Sequence, residues 1–296
     1  MNSTSEQQDA QHLRMTTAPV PGLILSLSVP SIITCIITSV YNMADTFFVA
    51  QLGTVAVAAV GVVFSISSVL SALGFWMGTG GSSLVSLYLG AREKEKAHCA
   101  ASTGFFLALG LGGVIAAGGL LALEPLMRLL GSTDTILPEA EAYAVPILLA
   151  APFQCSSLAL AQCLRAEGKS KESMAGQLAG GLLNIVLDPL FIYTLGMGIR
   201  GAGAATALSQ VMVWAALLWF YVRGKTSVRI SVRQVARPPR MVKLIFTTGF
   251  PSLCRHCGNA LATIVLNRAA GGFGDAAIAA FSIASRVSGL ALSVSI

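Results

Sequence analysis

Long apolar runs separated by short polar clusters set the pattern of this chain. Seven runs are long enough to cross about 30 Å of hydrocarbon as helices. They lie near 22–44, 55–80, 97–123, 141–164, 173–195, 202–222 and 243–267, and an eighth, starting near 276, meets the end of the chain at Ile296. The pattern therefore predicts an all-α polytopic membrane protein. The turn between the first two runs, "VAQLGTVA", carries no charge and rests on Gly53 and on length.

Composition agrees. Hydrophobic residues make up 54% of the 296 residues and charged ones 11%, with a mean hydropathy of +0.75. A soluble domain carries about 25% charged residues. The net charge of +6 comes from basic residues in short loops, which speaks for membrane topology and against a nucleic-acid partner. With the N-terminus inside, inward segments hold fourteen Lys and Arg and outward loops hold three: Arg128, Arg200 and Arg268. That contrast predicts a cytoplasmic N-terminus. The six cysteines form no framework, and "CRHC" at 254–257 lies in an apolar run without a second pair. "EGKS" lacks the glycine-rich run of a nucleotide loop; no enzyme chemistry or organic cofactor is indicated, and transport by this chain would be secondary.

An internal repeat organises the runs. "LILSLSVPSIITC" resembles "LIFTTGFPSLCRH", aligning Pro30 with Pro251 at an offset of 221, and the same offset aligns Gly53 with Gly274 and "VAAV" (57–60) with "IAAF" (278–281). Six runs separate the copies, so both enter the membrane in the same direction, the parallel type of transporter repeat. If one unit takes 221 residues, the second would finish near residue 440, and the chain is expected to be a C-terminally truncated product or fragment. Pro30 and Pro251 lack a backbone donor and are candidate helix-bending positions.

Only a few charged residues are hard to assign to a loop. Asp45 and Asp188 are the acidic ones; Asn42 is three residues from Asp45, and Asn184 four from Asp188, each on the same helical face. Intramembrane acids are costly to bury and serve as functional candidates by default. Either carboxylate could take up a proton, or hold a cation such as Na⁺ with amide and hydroxyl oxygens completing the shell; the alternatives are that Asp45 caps a helix end at the outer interface, or that both acids make structural hydrogen bonds. Gln154, Gln162, Gln210, Thr206 and Tyr143 are further candidates to line a pocket.

"YNMADTFFVAQLG", "RAEGKSKESMAGQLAGGLLNIVLDPLFI" and "GAGAATALSQ" together resemble the multidrug and toxic compound extrusion (MATE) family, in its bacterial multidrug-exporter and DNA-damage-inducible branch. The resemblance implies twelve helices in two six-helix lobes, of which this chain would hold the complete first lobe and the start of the second. The expected division is a tail at 1–14, a first lobe at 15–222, a basic inter-lobe loop at 223–242 and an incomplete second lobe at 243–296. It also implies proton- or sodium-driven export of varied, often cationic and aromatic, drug-like compounds across the bacterial inner membrane, by a protein monomeric when full length. Asp45, Asp188, Asn184, Thr206 and Tyr143 would then form the cation-coupling set, with sodium as the candidate metal at the first four. The family's amide on the fourth helix finds Gln162 here in place of an asparagine. A lipid-linked oligosaccharide flippase of the same superfamily would favour a strongly basic cleft, whereas almost all basic residues here are in inner loops. A non-transporting membrane fragment is the other alternative.

Overall fold

The computed structural model describes residues 19–224, 226–235 and 239–295. The expected tail at 1–14 with Arg14, and residues 236–238 of the basic loop, lie outside the described residues. Among the described residues nine α-helices and no strand are present: α1 (Val20–Ala50), α2 (Thr54–Gly90), α3 (Lys94–Leu121), a short α4 (Leu123–Leu129), α5 (Leu137–Ala166), α6 (Ser170–Pro189), α7 (Ile199–Val222), α8 (Pro239–Gly271) and α9 (Asp275–Ser295). Six of them, α1, α2, α3, α5, α6 with its C-terminal extension, and α7, are long and apolar enough to cross a membrane. These are the first six apolar runs. The seventh run forms α8, a helix of 33 residues. Among the described residues it is not one of the six, and Arg240, Lys243, Arg255 and Arg268 lie on it.

The helices are longer than the apolar runs because their polar ends continue as helix. α1 ends at Ala50 rather than near residue 44, so Asp45 sits within the helix and does not cap it. Neither Pro30 nor Pro251 breaks its helix. The Thr34 hydroxyl donates to the Pro30 carbonyl at 2.8 Å, a local side-chain bond that sits beside the proline.

The core is centred on α2 and α5, which pack on each other. α3 and α7 flank α5, α8 lies along α2, and α1 packs mainly on α6. Small residues make the close crossings, as expected where apolar helices gain from backbone approach rather than from expelling water. A Cβ on Gly80 would collide with the Ile245 carbonyl, and one on Gly249 with the Trp76 carbonyl. The Trp76 indole N–H also donates to the Phe246 carbonyl at 2.9 Å. Those contacts lock α8 against α2.

The repeat reaches the hydrogen-bond level. α1 and α8 end at Ala50 and Gly271, and α2 and α9 begin at Thr54 and Asp275, all at the offset of 221. In both turns three successive N–H groups donate to the carbonyls three residues back: Gln51, Leu52 and Gly53 in the first, Gly272, Phe273 and Gly274 in the second. The turn glycines share a left-handed backbone, with φ of 118° at Gly53 and 97° at Gly274. A side chain is strained there, which explains glycine at both positions.

Candidate functional site

One cavity of about 390 Å³ gathers polar side chains from several helices. α1 contributes Asn42 and Asp45, α5 contributes Tyr143 and Gln154, α6 contributes Asn184, and α7 contributes Thr206 and Gln210. Asp45 is 5% exposed and Asn184 is 2% exposed. Asp188 is fully buried and lies behind Asn184 rather than on the wall; the Asn184 amide donates to its Oδ1 at 3.2 Å. Gln162 lines neither this cavity nor its neighbour. Near the end of α5 it accepts a hydrogen bond from Arg165 Nη1 at 3.3 Å, because its helical position turns it toward that arginine.

Local structure explains how the acids are placed. On α6, Gly176 and Gly180 face α7, where a Cβ would strike Leu217 and Val213, while Gly181 lets Tyr41 of α1 approach. These glycines seat α6 between α1 and α7, and Asn184 and Asp188 follow Gly180 at four-residue steps. Immediately after Asp188, Pro189 has no N–H to give to the preceding turn. The backbone there widens into a π-turn over Leu190–Thr194, closed by Leu195 N–H donating to the Leu190 carbonyl at 2.9 Å. Such turns recur at functional sites. The Tyr193 hydroxyl then donates to the Phe48 carbonyl at 2.7 Å, tying this segment to α1 one turn beyond Asp45. On α7, Gly203 lies against the backbone of Tyr143.

The donor set suits a hard cation or a proton. Carboxylate, amide and hydroxyl oxygens are the ligands that Na⁺-like ions take. Asn184 Oδ1 and Asp188 Oδ2 are buried and lack a hydrogen-bond partner among the described residues. A cation bound beside them would meet acceptors already stripped of water.

The sequence patterns did not point to His256. It lines the same cavity from α8, together with Thr263. Its ring stacks on Phe75 of α2 at 4.4 Å with the planes 1° apart, and its Nε2 is buried without a partner among the described residues. A lone histidine in an apolar run has no distinguishing spacing, so only the packing of α8 on α2 reveals where it points.

The MatE family model matches residues 30–190, more than half of the chain. The chain belongs to the MatE family. The multidrug export protein MepA of Staphylococcus saprophyticus is 29% identical over 265 residues, 89% of this chain and 59% of that relative. MepA of Staphylococcus aureus strain MRSA252 is 25% identical over 281 residues, 95% of this chain and 62% of that one. Among solved structures, the MATE multidrug transporter DinF-BH, solved as a complex, superposes with a TM-score of 0.88 at 28% identity, covering 94% of this chain and 63% of that one. A multidrug resistance MATE transporter of the MOP superfamily in its inward-facing conformation gives 0.80 at 33% identity, covering 92% and 64%. The chain thus spans about three fifths of the length of the curated relatives it matches. Its apolar helices and its place in the MatE family make it a membrane protein with the MATE fold.

Proposed function

We propose that this chain takes part in secondary active export of drug-like compounds, often cationic and aromatic, driven by inward movement of H⁺ or Na⁺. The observation that carries the reading is the shared cavity. Asp45, Asn184 and Thr206 reach it from three different helices, with Asp188 hydrogen-bonded behind Asn184. The proposed coupling set is Asp45, Asp188, Asn184, Thr206 and Tyr143, within a first lobe spanning 15–222. The bacterial inner membrane with a cytoplasmic N-terminus is the proposed setting, supported by the bias of Lys and Arg toward one set of loops.

Coupling needs a group that exchanges charge and a structure that responds to it. A carboxylate inside hydrocarbon is costly when ionised and unpaired, and a bound cation or proton removes that cost. Loading the cavity would therefore favour an arrangement that closes around Asp45 and Asn184, while release would favour one that opens it. The π-turn beyond Asp188 and its Tyr193 tie to α1 make α1 and α6 the helices best placed to respond.

Efflux of a fluorescent cationic dye from cells expressing the protein tests the reading. Asp188→Asn is expected to abolish the energised component of efflux at unchanged expression. Wild-type efflux in that variant would overturn the coupling assignment.

A further inference from the structure

A second cavity of about 330 Å³ adjoins the first and shares much of its wall, including Thr38, Gln154, Gln210 and the coupling candidates Asn184 and Thr206. The charge on its wall is of opposite sign. Asp45 lines the first cavity, whereas Arg165 is the one ionised side chain lining the second among the described residues, and no acid lines it. Among the described residues Arg165 forms no salt bridge. Its Nε donates to the Ser173 hydroxyl at 3.4 Å and its Nη1 to the Gln162 amide oxygen at 3.3 Å, both neutral and both long. Glu167, two residues on, is engaged elsewhere: its Oε2 accepts the Ser227 N–H and pairs with Lys169 at 3.6 Å.

The Arg165 guanidinium is half-buried, and among the described residues no anion pairs with it. Two long bonds to neutral groups and the carbonyl end of α5 solvate it without neutralising it. The rest of the wall carries further polar side chains, among them Ser31, Ser39 and Gln177. Arginine presents a planar fork of donors that matches carboxylate and phosphate oxygens in pairs.

We propose that this cavity is a binding site for an anionic group, a carboxylate or a phosphate, held by Arg165. It shares a wall with the cation cavity, but Arg165 lines this cavity alone and Asp45 the other alone, so the proposal stands whether or not Asp45 couples transport. The anion can be a free solute or the headgroup of an acidic lipid, since both present the same oxygens.

Cys35 lines the same cavity and provides the probe. The protein, with its other five cysteines replaced by serine, is placed in nanodiscs of phosphatidylcholine. The rates of Cys35 modification by an anionic and a cationic methanethiosulfonate are then compared. The anionic reagent is expected to react faster by about fivefold or more, as attraction by a half-buried cation lining the same cavity dictates. R165Q is expected to remove the preference and R165K to keep part of it. Inorganic phosphate is then added, or phosphatidylglycerol is built into the disc. Protection by phosphate identifies a free anion, and protection by phosphatidylglycerol identifies a lipid headgroup. Equal rates for the two reagents in the Arg165 protein would overturn the proposal even if R165Q does not fold. So would a preference that survives in R165Q, or protection by neither anion.

Discussion

The two copies of the helix–turn–helix repeat share a backbone and differ in chemistry. The turns at 51–53 and 272–274 use the same three hydrogen bonds and the same left-handed glycine. Yet the position that is Asp45 in the first copy is Leu266 in the second. Asp45 is buried against a polar cavity, while Leu266 is exposed on the outside of α8. Duplication fixed where helices end and turns form; the acid belongs to one copy alone. Backbone geometry at the turns is thus scaffold, and the chemistry lies in side chains that the repeat does not share.

Exchanging the chemistry tests this contrast most directly. Asp45→Asn is expected to lower energised dye efflux by about tenfold or more, equivalent to at least ~1.4 kcal/mol of lost coupling. Leu266→Asn at the equivalent position should leave efflux within about twofold. Equal losses in the two variants would show that the position matters for structure rather than for charge.

A second exchange concerns packing. Gly249→Ala sets a Cβ against the Trp76 carbonyl where α8 crosses α2, and overpacking of this kind costs about 1–3 kcal/mol. The melting temperature in detergent, followed by helical circular dichroism, should fall clearly. Gly113→Ala on α3, where a Cβ would meet nothing within 4 Å, should leave it unchanged or slightly raised.

The turns themselves should respond alike. Gly53→Ala and Gly274→Ala each force a Cβ into a left-handed backbone with open space around it, a conformational cost of about 1–2 kcal/mol. Both variants should melt earlier, by similar amounts. A turn that tolerates alanine while its counterpart does not would show that the likeness of the two backbones does not extend to energetics.

The smallest effect is expected where the repeats are joined. The segment after α7 is strapped down by Ser227 N–H to Glu167 Oε2 at 2.6 Å, Arg229 N–H to His98 Nδ1 at 3.1 Å and Ser231 N–H to Ser102 Oγ at 3.1 Å. Burial raises the Glu167 carboxyl from its ordinary value of 4.5 to about 7. The folded protein therefore keeps this proton at pH values where the unfolded chain has released it. The contribution of the group is fullest below pH 4.5 and is lost as pH rises toward 7. Melting temperatures at pH 5 and pH 8 should show a fall that is smaller in Glu167→Gln. An equal fall in both proteins would assign the pH dependence to other groups.

Much of the architecture was legible in the chain. Apolar runs mark the first six spanning helices because hydrocarbon demands about twenty apolar residues per crossing, whatever those helices pack against. Gly53 and Gly274 marked the repeat because a left-handed turn excludes most other residues. Asn184 and Asp188 were legible as a pair because about four residues make one helical turn. Helix ends were less legible, since polar residues at the membrane boundary continue a helix as readily as they end it. α1 accordingly carries Asp45 inside it.

Local spacing and composition were enough to define a bundle of membrane-spanning helices with a duplicated entry motif and two intramembrane acids. They could not say that Asp188 stands behind Asn184 rather than on the cavity wall, or that Gln162 turns to Arg165. The packing of the helices brought His256 from α8 to the cavity of Asp45 and gave the neighbouring cavity an arginine without an acid. Those outcomes depend on which helices cross and how closely, and glycines far apart in the chain set the crossings. No periodicity along one helix encodes what a different helix will place opposite it.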